Sequence, residues 1–335
     1  MVRDTRLRSC LLVPVSRLLL ALLLPMCVVL LPLAAHAAAN PRDLLNAGRA
    51  DDALRLLTPQ AVGNDAVAFN YLGRVFFALH DWDDAVQNCE RATQLDPGNA
   101  IFQLWLGRSY GEKANAANPL VAYPLARKTV AAFIAARSLD RGNVPIARDL
   151  AEYYAEAPAI VGGGADKALA MAAELAAEHP ADAAWIRARA AANQGQYEKA
   201  EHEYNEAIRL DHDSAAAYLD LARFLYGRKS WERFQQTVER AIKSTHIQPT
   251  DRYDAAELLL HAKRNLSLAA QQMRAYIQSG HTEEEAPLFR AHFLLGEILL
   301  KSGDASKAAA EFNAALTLAS SYRPAAESLR RMGRP

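Results

Sequence analysis

Several things are scarce in this chain of 335 residues. It has no excess of either charge, since 38 Lys and Arg stand against 38 Asp and Glu. That balance excludes a nucleic-acid binder acting by bulk charge, and a polybasic membrane-surface protein. Its 16 Gly and 15 Pro are too few for a collagen-like or low-complexity chain. With 51% apolar and 23% charged residues, it is also not a disordered chain. Enzyme signatures are missing: there is no G-x-S-x-G, no H-E-x-x-H and no G-x-x-x-x-G-K. The His residues between His80 and His292 are scattered, with no pair at metal-ligand spacing. No catalytic, cofactor or metal site is therefore expected.

The one long uncharged run is at the start. Arg3, Arg6, Arg8 and Arg17 against Asp4 are followed by the apolar stretch Leu18 to Leu33 and then by AAHAAAN, Ala34 to Asn40. A basic start, an apolar centre and an A-x-A end describe a secretory signal over residues 1–37, with cleavage after Ala37 or Ala39. The alternative is an uncleaved anchor in the inner membrane. Pro25 and Pro32 interrupt that run, which is at the short limit for a span of about 18–20 residues. Met26 before Cys27 argues against a lipid-modified Cys, and no adjacent Arg pair marks this segment for twin-arginine export. Cleavage takes four Arg and one Asp from the balanced 38 and 38 and leaves a net charge of −3. Cys10 and Cys27 go with it. Cys89 alone remains, so no intramolecular disulfide forms, and packing must hold the exported chain together. At the large apolar position of a helix, Cys89 reads as a buried structural thiol.

The rest repeats one pattern. In residues 66–99, Phe69, Leu72, Gly73 and Phe76 share one helical face, Ala85, Cys89 and Ala92 share another, and Pro97 stops the second helix. Small residues at the contact let two antiparallel helices come close. Leu106, Gly107 and Tyr110 repeat the first face after 34 residues; Ala200, Tyr204 and Ala207 repeat the second, as do Phe234, Val238 and Ala241, then Ala269, Met273 and Tyr276. Gly296, Leu299, Ala308, Phe312 and Ala315 close the series.

This pattern resembles the tetratricopeptide repeat, a helix–turn–helix unit of about 34 residues. The resemblance covers nearly all of residues 40–333 and implies an all-α, right-handed superhelical solenoid. Repeats start near residues 66, 100, 143, 181, 215, 250 and 289, within a tandem array over 66–322. A degenerate unit over 40–65 precedes them, and residues 323–335 read as a polar capping helix and tail. Two repeats are stretched between their helices, by residues 115–124 (NAANPLVAYP) and 157–164 (APAIVGGG). Leu150 stands at the small position of the second of these. The run Tyr153-Tyr154, Ala157-Pro158, Val161-Gly162-Gly163 is similar to one in some secreted bacterial repeat proteins.

Equivalent turns of a solenoid line up along one edge, so the two insertions are expected side by side, as a weak loop site of Tyr123, Gly162, Gly163 and Gly164. A glycine-rich turn before a helix can hold an anion on its amides; the plain alternative is a connector with Asp166 as cap. The stronger candidate is the groove, which the resemblance places on the first helices. Beside the core stripe lie Asn70, Arg74 and Phe77. The same offset carries Arg74 to Arg108, Arg189 and Arg223, Phe77 to Tyr154 and Tyr226, and Asn70 to Trp185. A row of guanidinium groups beside aromatics suits carboxylates or an extended acidic peptide. The expected function is a non-catalytic, exported, periplasmic scaffold or adaptor that holds a peptide or protein segment in an envelope assembly or secretion complex, with no nucleic acid and no cofactor. An envelope binder of a small anionic or glycan ligand at the insertions is the alternative, as is an accessory subunit stable only in a complex. Reversing two Arg of the row, Arg108→Glu with Arg189→Glu, is expected to abolish partner capture in a pull-down with little change in melting temperature.

Overall fold

The computed structural model describes residues 40–333; the expected signal segment lies outside these residues. Among the described residues all regular structure is helical. The helices pair as α1 (Pro41–Asn46) with α2 (Ala50–Val62), α3 (Ala66–Ala78) with α4 (Trp82–Leu95), α5 (Ala100–Ala116) with α6 (Pro119–Leu139), and α7 (Val144–Glu156) with α8 (Ala165–Leu175). They continue as α9 (Pro180–Asn193) with α10 (Tyr197–Leu210), α11 (Ala215–Gly227) with α12 (Trp231–Lys243), α13 (Pro249–Ala262) with α14 (Leu266–Gln278), and α15 (Leu288–Lys301) with α16 (Ala305–Leu318). A last helix, α17 (Arg323–Met332), buries Ala325 and Ser328 against the end of the stack. No helix among the described residues is long and apolar enough to cross a membrane.

Side-chain caps start many of these helices. Asp65, Asn99, Asn118, Asn143 and Ser214 each accept backbone N–H bonds from the first turn that follows. Within five pairs the chain reverses through one left-handed residue, Gly48, His80, Gly195, Lys229 or Gly303, with φ between +56° and +88°, and the turn between α13 and α14 uses two, Lys263 at +52° and Asn265 at +42°. The turn is held by paired bonds, as where Lys229 N–H donates to Tyr226 O at 2.9 Å and Ser230 N–H to Leu225 O at 3.0 Å.

Paired helices touch at the small positions. A Cβ on Gly73 would overlap the sulfur of Cys89, and one on Gly107 or Gly296 would lie 2.5 Å from the ring of Phe133 or Phe312. Cys89 is fully buried, which pushes its thiol up to about 12, so it is inert as expected of a structural thiol. The two insertions take different forms. Residues 115–124 make no loop: Asn118 and Pro119 cut a longer hairpin, and the added residues extend α5 to 17 residues and α6 to 21. Residues 157–164 leave α7, make a 3-10 turn (Ala159–Val161) and fold back to α8.

The array closes on itself. Gly48 lies against the backbone of Leu288 and Phe289. The Ser320 N–H meets both carboxylate oxygens of Asp51 at 3.0 Å, and Arg323 reaches Asp81 at 3.1 Å. His80 stacks on Trp82 at 5.0 Å and meets the edge of Tyr322 at 5.8 Å. The first two helix pairs thus pack against the last pair and α17, and the groove lies inside a ring.

Two outcomes follow from this geometry. A side chain in the left-handed region costs about 1–2 kcal/mol, partly offset in the Gly variant by backbone entropy of about 0.5–1 kcal/mol. Lys229, exposed and at φ +56°, is therefore expected to give a Lys229→Gly variant more stable by about 0.5–1 kcal/mol in urea titration. Lost hydration at the ring nitrogens in the junction, then the charge of Arg290, lowers the His80 pKa from 6.5 to about 4, although the residue as a whole is exposed. Between those values the unfolded chain binds this proton and the folded chain does not. Stability is thus expected to be lost as pH falls from 6.5 towards 4, and less steeply in a His80→Asn variant, in thermal melts at matched ionic strength.

Candidate functional site

On the inner side of the ring, α3, α5, α6 and α7 line an open cavity of about 900 Å³. Its aromatic walls are Phe77, Trp105, Tyr123, Phe133 and Tyr153, and Glu284 and Glu285 reach it from the turn between α14 and α15. Trp105 stands two residues before the small position of α5, so it projects between neighbouring first helices. The guanidinium groups of Arg74 and Arg108 lie over its ring at 4.9 and 4.8 Å. Tyr153 is fixed by its hydroxyl, which donates to Ala126 O or Val161 O at 2.7 and 2.8 Å. Because Val161 belongs to the second insertion and Tyr123 to the first, both insertions border one cavity.

Arg74, Arg108, Arg189 and Arg223 occupy equivalent turns of α3, α5, α9 and α11, as the repeat spacing places them. None stands free. Arg74 forms a fork with Glu284, its Nε 2.7 Å from Oε1. Arg108 holds Asp149 at 2.6 Å and Glu285 at 3.0 Å; Arg189 holds Glu152 at 2.5 Å and also Glu156. Arg223 holds Asp220 at 3.1 Å and Asp254 at 2.7 Å. The positive stripe expected from the sequence is therefore a ladder of paired charges in which carboxylates outnumber guanidinium groups. Burial raises the pKa of Glu152 and Asp254 even beside their Arg partners, and burial raises that of Glu112 as well.

The other expected contacts divide. Phe77 lines the cavity, edge-on to Trp82 and Trp105 at 5.4 Å. Tyr226 packs on Trp231 and Phe234 of α12. Asn70 and Trp185 do not line an open surface: they are 2% and 5% exposed, with Asn70 Nδ2 and Trp185 Nε1 unpartnered. Trp185 lies between Arg148 at 4.1 Å and Arg189 at 4.9 Å. Tyr154 is misplaced by one residue. The small position of α7 is the buried Ala151 rather than Leu150, so Glu152 takes the Arg position and the buried Ala155 the Phe77 position; Tyr153 faces the cavity, and Tyr154 lies under Lys167.

The three amides of the glycine turn are engaged within the turn itself. The Gly162 N–H donates to Ala159 O, the Gly163 N–H to Pro158 O and the Gly164 N–H to Tyr154 O. A Cβ on Gly163 would collide with Ala157 O, so that glycine serves a tight backbone approach. Asp166 makes no capping bond to α8.

Sequence reasoning missed Trp105, Asp149, Tyr153 and Glu284. For Asp149 a signal was present: Asp149, Asp220 and Asp254 all stand two residues before a small position of the first helix, and each pairs with an Arg of the ladder. Glu284 carried none, because its partner Arg74 is 210 residues away.

Tetratricopeptide-repeat family models match residues 66–99, 191–246 and 253–323. These three segments carry tetratricopeptide repeats. Among solved structures, this chain is similar to a thermophilic TPR protein of Thermus thermophilus, with 20% identity, 57% of this chain and 100% of that one covered, and a TM-score of 0.46. It is also similar to yeast Tom70, with 15% identity, 84% of this chain and 58% of that one covered, and a TM-score of 0.49. No curated protein matches the chain.

Pairing changes what Arg reversal does. In Arg108→Glu with Arg189→Glu, new carboxylates face Asp149, Glu285, Glu152 and Glu156 from positions only 20% and 16% exposed. We expect the melting transition to fall, by an amount equivalent to about 2–4 kcal/mol after allowance for the partly exposed acids, in place of the small change anticipated from the sequence.

Proposed function

We propose that this chain is a non-catalytic scaffold that holds a peptide or protein segment of a partner on the inner side of its ring. The observation that carries this is the cavity of about 900 Å³, walled by aromatic side chains and bordered by the Arg74–Trp105–Arg108 stack. Aromatic walls bury apolar side chains, and guanidinium groups held flat on an indole fix the polar groups of a bound segment. The basic, then apolar, then small-residue N-terminus supports export to the periplasm and work within an envelope assembly or secretion complex.

A second reading has its own observation. Tyr123 from one insertion and Pro158 and Val161 from the other border the same cavity, whose volume suits a compact ligand. A small glycan or anionic ligand is then the occupant in place of a polypeptide.

Photo-crosslinking separates these. With benzoylphenylalanine in place of Tyr123 at the cavity rim, the full chain is expected to give one discrete high-mass adduct in envelope extract. The same group in place of Ile134, exposed and away from the cavity, is expected to give none. Equal labelling at both positions, or none at Tyr123, overturns the scaffold reading. A bound small molecule found by native mass spectrometry with no protein adduct selects the second.

A further inference from the structure

The connection between α14 and α15 differs from its equivalents. Residues 96–99 and 211–214 join one repeat to the next between α4 and α5 and between α10 and α11. Residues 279–287 do the same between α14 and α15, and the added length carries Glu283, Glu284 and Glu285. Its base is fixed where the Tyr276 hydroxyl donates to Ala286 O. Its tip reaches across the junction of the two ends, to residues 177 and 210 positions away in sequence.

We propose that Arg74, Trp105 and Arg108 form a recognition site for a partner segment bearing two adjacent carboxylates, and that Glu284 and Glu285 are the chain's own occupants of that site, displaced when the segment binds. The inference rests on the scaffold reading and names the chemistry of what the groove takes.

Three observations support it. First, the site is already filled by its cognate chemistry: consecutive glutamates meet two guanidinium groups held against one indole ring, one glutamate to each. The Arg74 fork with Glu284 is the geometry in which Arg selects carboxylate. Second, the pairing is uneven in a way that suits exchange. Arg108 keeps Asp149 at 2.6 Å when Glu285 leaves, and Glu285 is 69% exposed, so that half of the site opens readily. Among the described residues Glu284 is the only ion-pair partner of Arg74, and the two are 10% and 12% exposed. Arg74 therefore gives up Glu284 only to another carboxylate, because a lone guanidinium there is poorly hydrated. Third, the turn is in the way. Both glutamates line the cavity, so their departure enlarges it and frees one of the contacts that close the ring. A tethered occupant competes at high effective concentration, and apparent affinity for an outside segment falls by the fraction of molecules in which the site is vacant.

The test uses the full chain and a fluorescent peptide with the turn's own sequence, HTEEEAP, followed by anisotropy. The unaltered chain is expected to bind it weakly. Glu284→Gln with Glu285→Gln is expected to bind at least about tenfold more tightly, and Arg74→Gln added to that pair is expected to abolish binding. The peptide HTQQQAP is expected to bind none of them. Should the double variant fail to fold, Glu285→Gln alone, at an exposed residue, is expected to raise affinity about threefold. Equal or weaker binding by the Gln variants, no binding by any variant, or equal binding of HTQQQAP overturns the proposal. If the Tyr123 crosslink persists while the acidic peptide fails, only this inference falls; if both fail, the scaffold reading falls with it.

Discussion

The close approach of paired helices at one small residue is the contact on which the rest of the molecule depends. At Gly73 against Cys89, Gly107 against Phe133 and Gly296 against Phe312, no room is left for a methyl group. Such an approach fixes the crossing of each pair and how the next pair stacks upon it. A bulky residue would push two helices apart at that point, and an error repeated from pair to pair would grow along the array. The fully buried large side chains, among them Tyr253, Tyr276 and Phe312, fill the spaces that these crossings leave.

Stacked repeats ordinarily contact only their neighbours, so stability is nearly a sum of local terms. Closure changes that here. The bond from Ser320 to Asp51 spans 269 residues, and the junction also holds His80 against Tyr322 and Gly48 against Leu288. The two ends share these contacts, so the first and last repeats are coupled although they are far apart in sequence. The groove is therefore flanked by both ends of the array.

Within that boundary the charges are arranged as pairs. An Arg on a first helix meets an acid from its own helix, from a neighbouring helix, or from the turn before α15, and several guanidinium groups lie over aromatic rings. Carboxylates in this setting lose hydration faster than they gain from their partners, which is why Glu152 and Asp254 are harder to ionise than free acids. Selectivity for a bound segment then comes from which pairs it is able to replace.

The sequence by itself determined the repeat, because small and large residues in register at spacings near 34 satisfy only a stack of helix pairs. It also determined that the four Arg share one helical turn, and that the two insertions are neighbours. Where local patterns were irregular it misled: Leu150 beside Ala151 shifted the register of α7 by one, so Tyr154 was placed where the buried Ala155 stands, and Tyr153 at the cavity went unseen. The glycine turn looked like an anion cradle because its three amides are unassigned in a linear sequence, and only the fold shows them donating to Ala159, Pro158 and Tyr154. Tertiary structure alone decided that Arg74 and Arg108 also meet Glu284 and Glu285 from the far end of the chain, while Arg189 and Arg223 are paired by acids of their own or neighbouring repeats. Helical periodicity reports which residues share a face, but not what lies opposite that face. The opposing partner is set by the accumulated rotation of eight helix pairs, which no local spacing encodes.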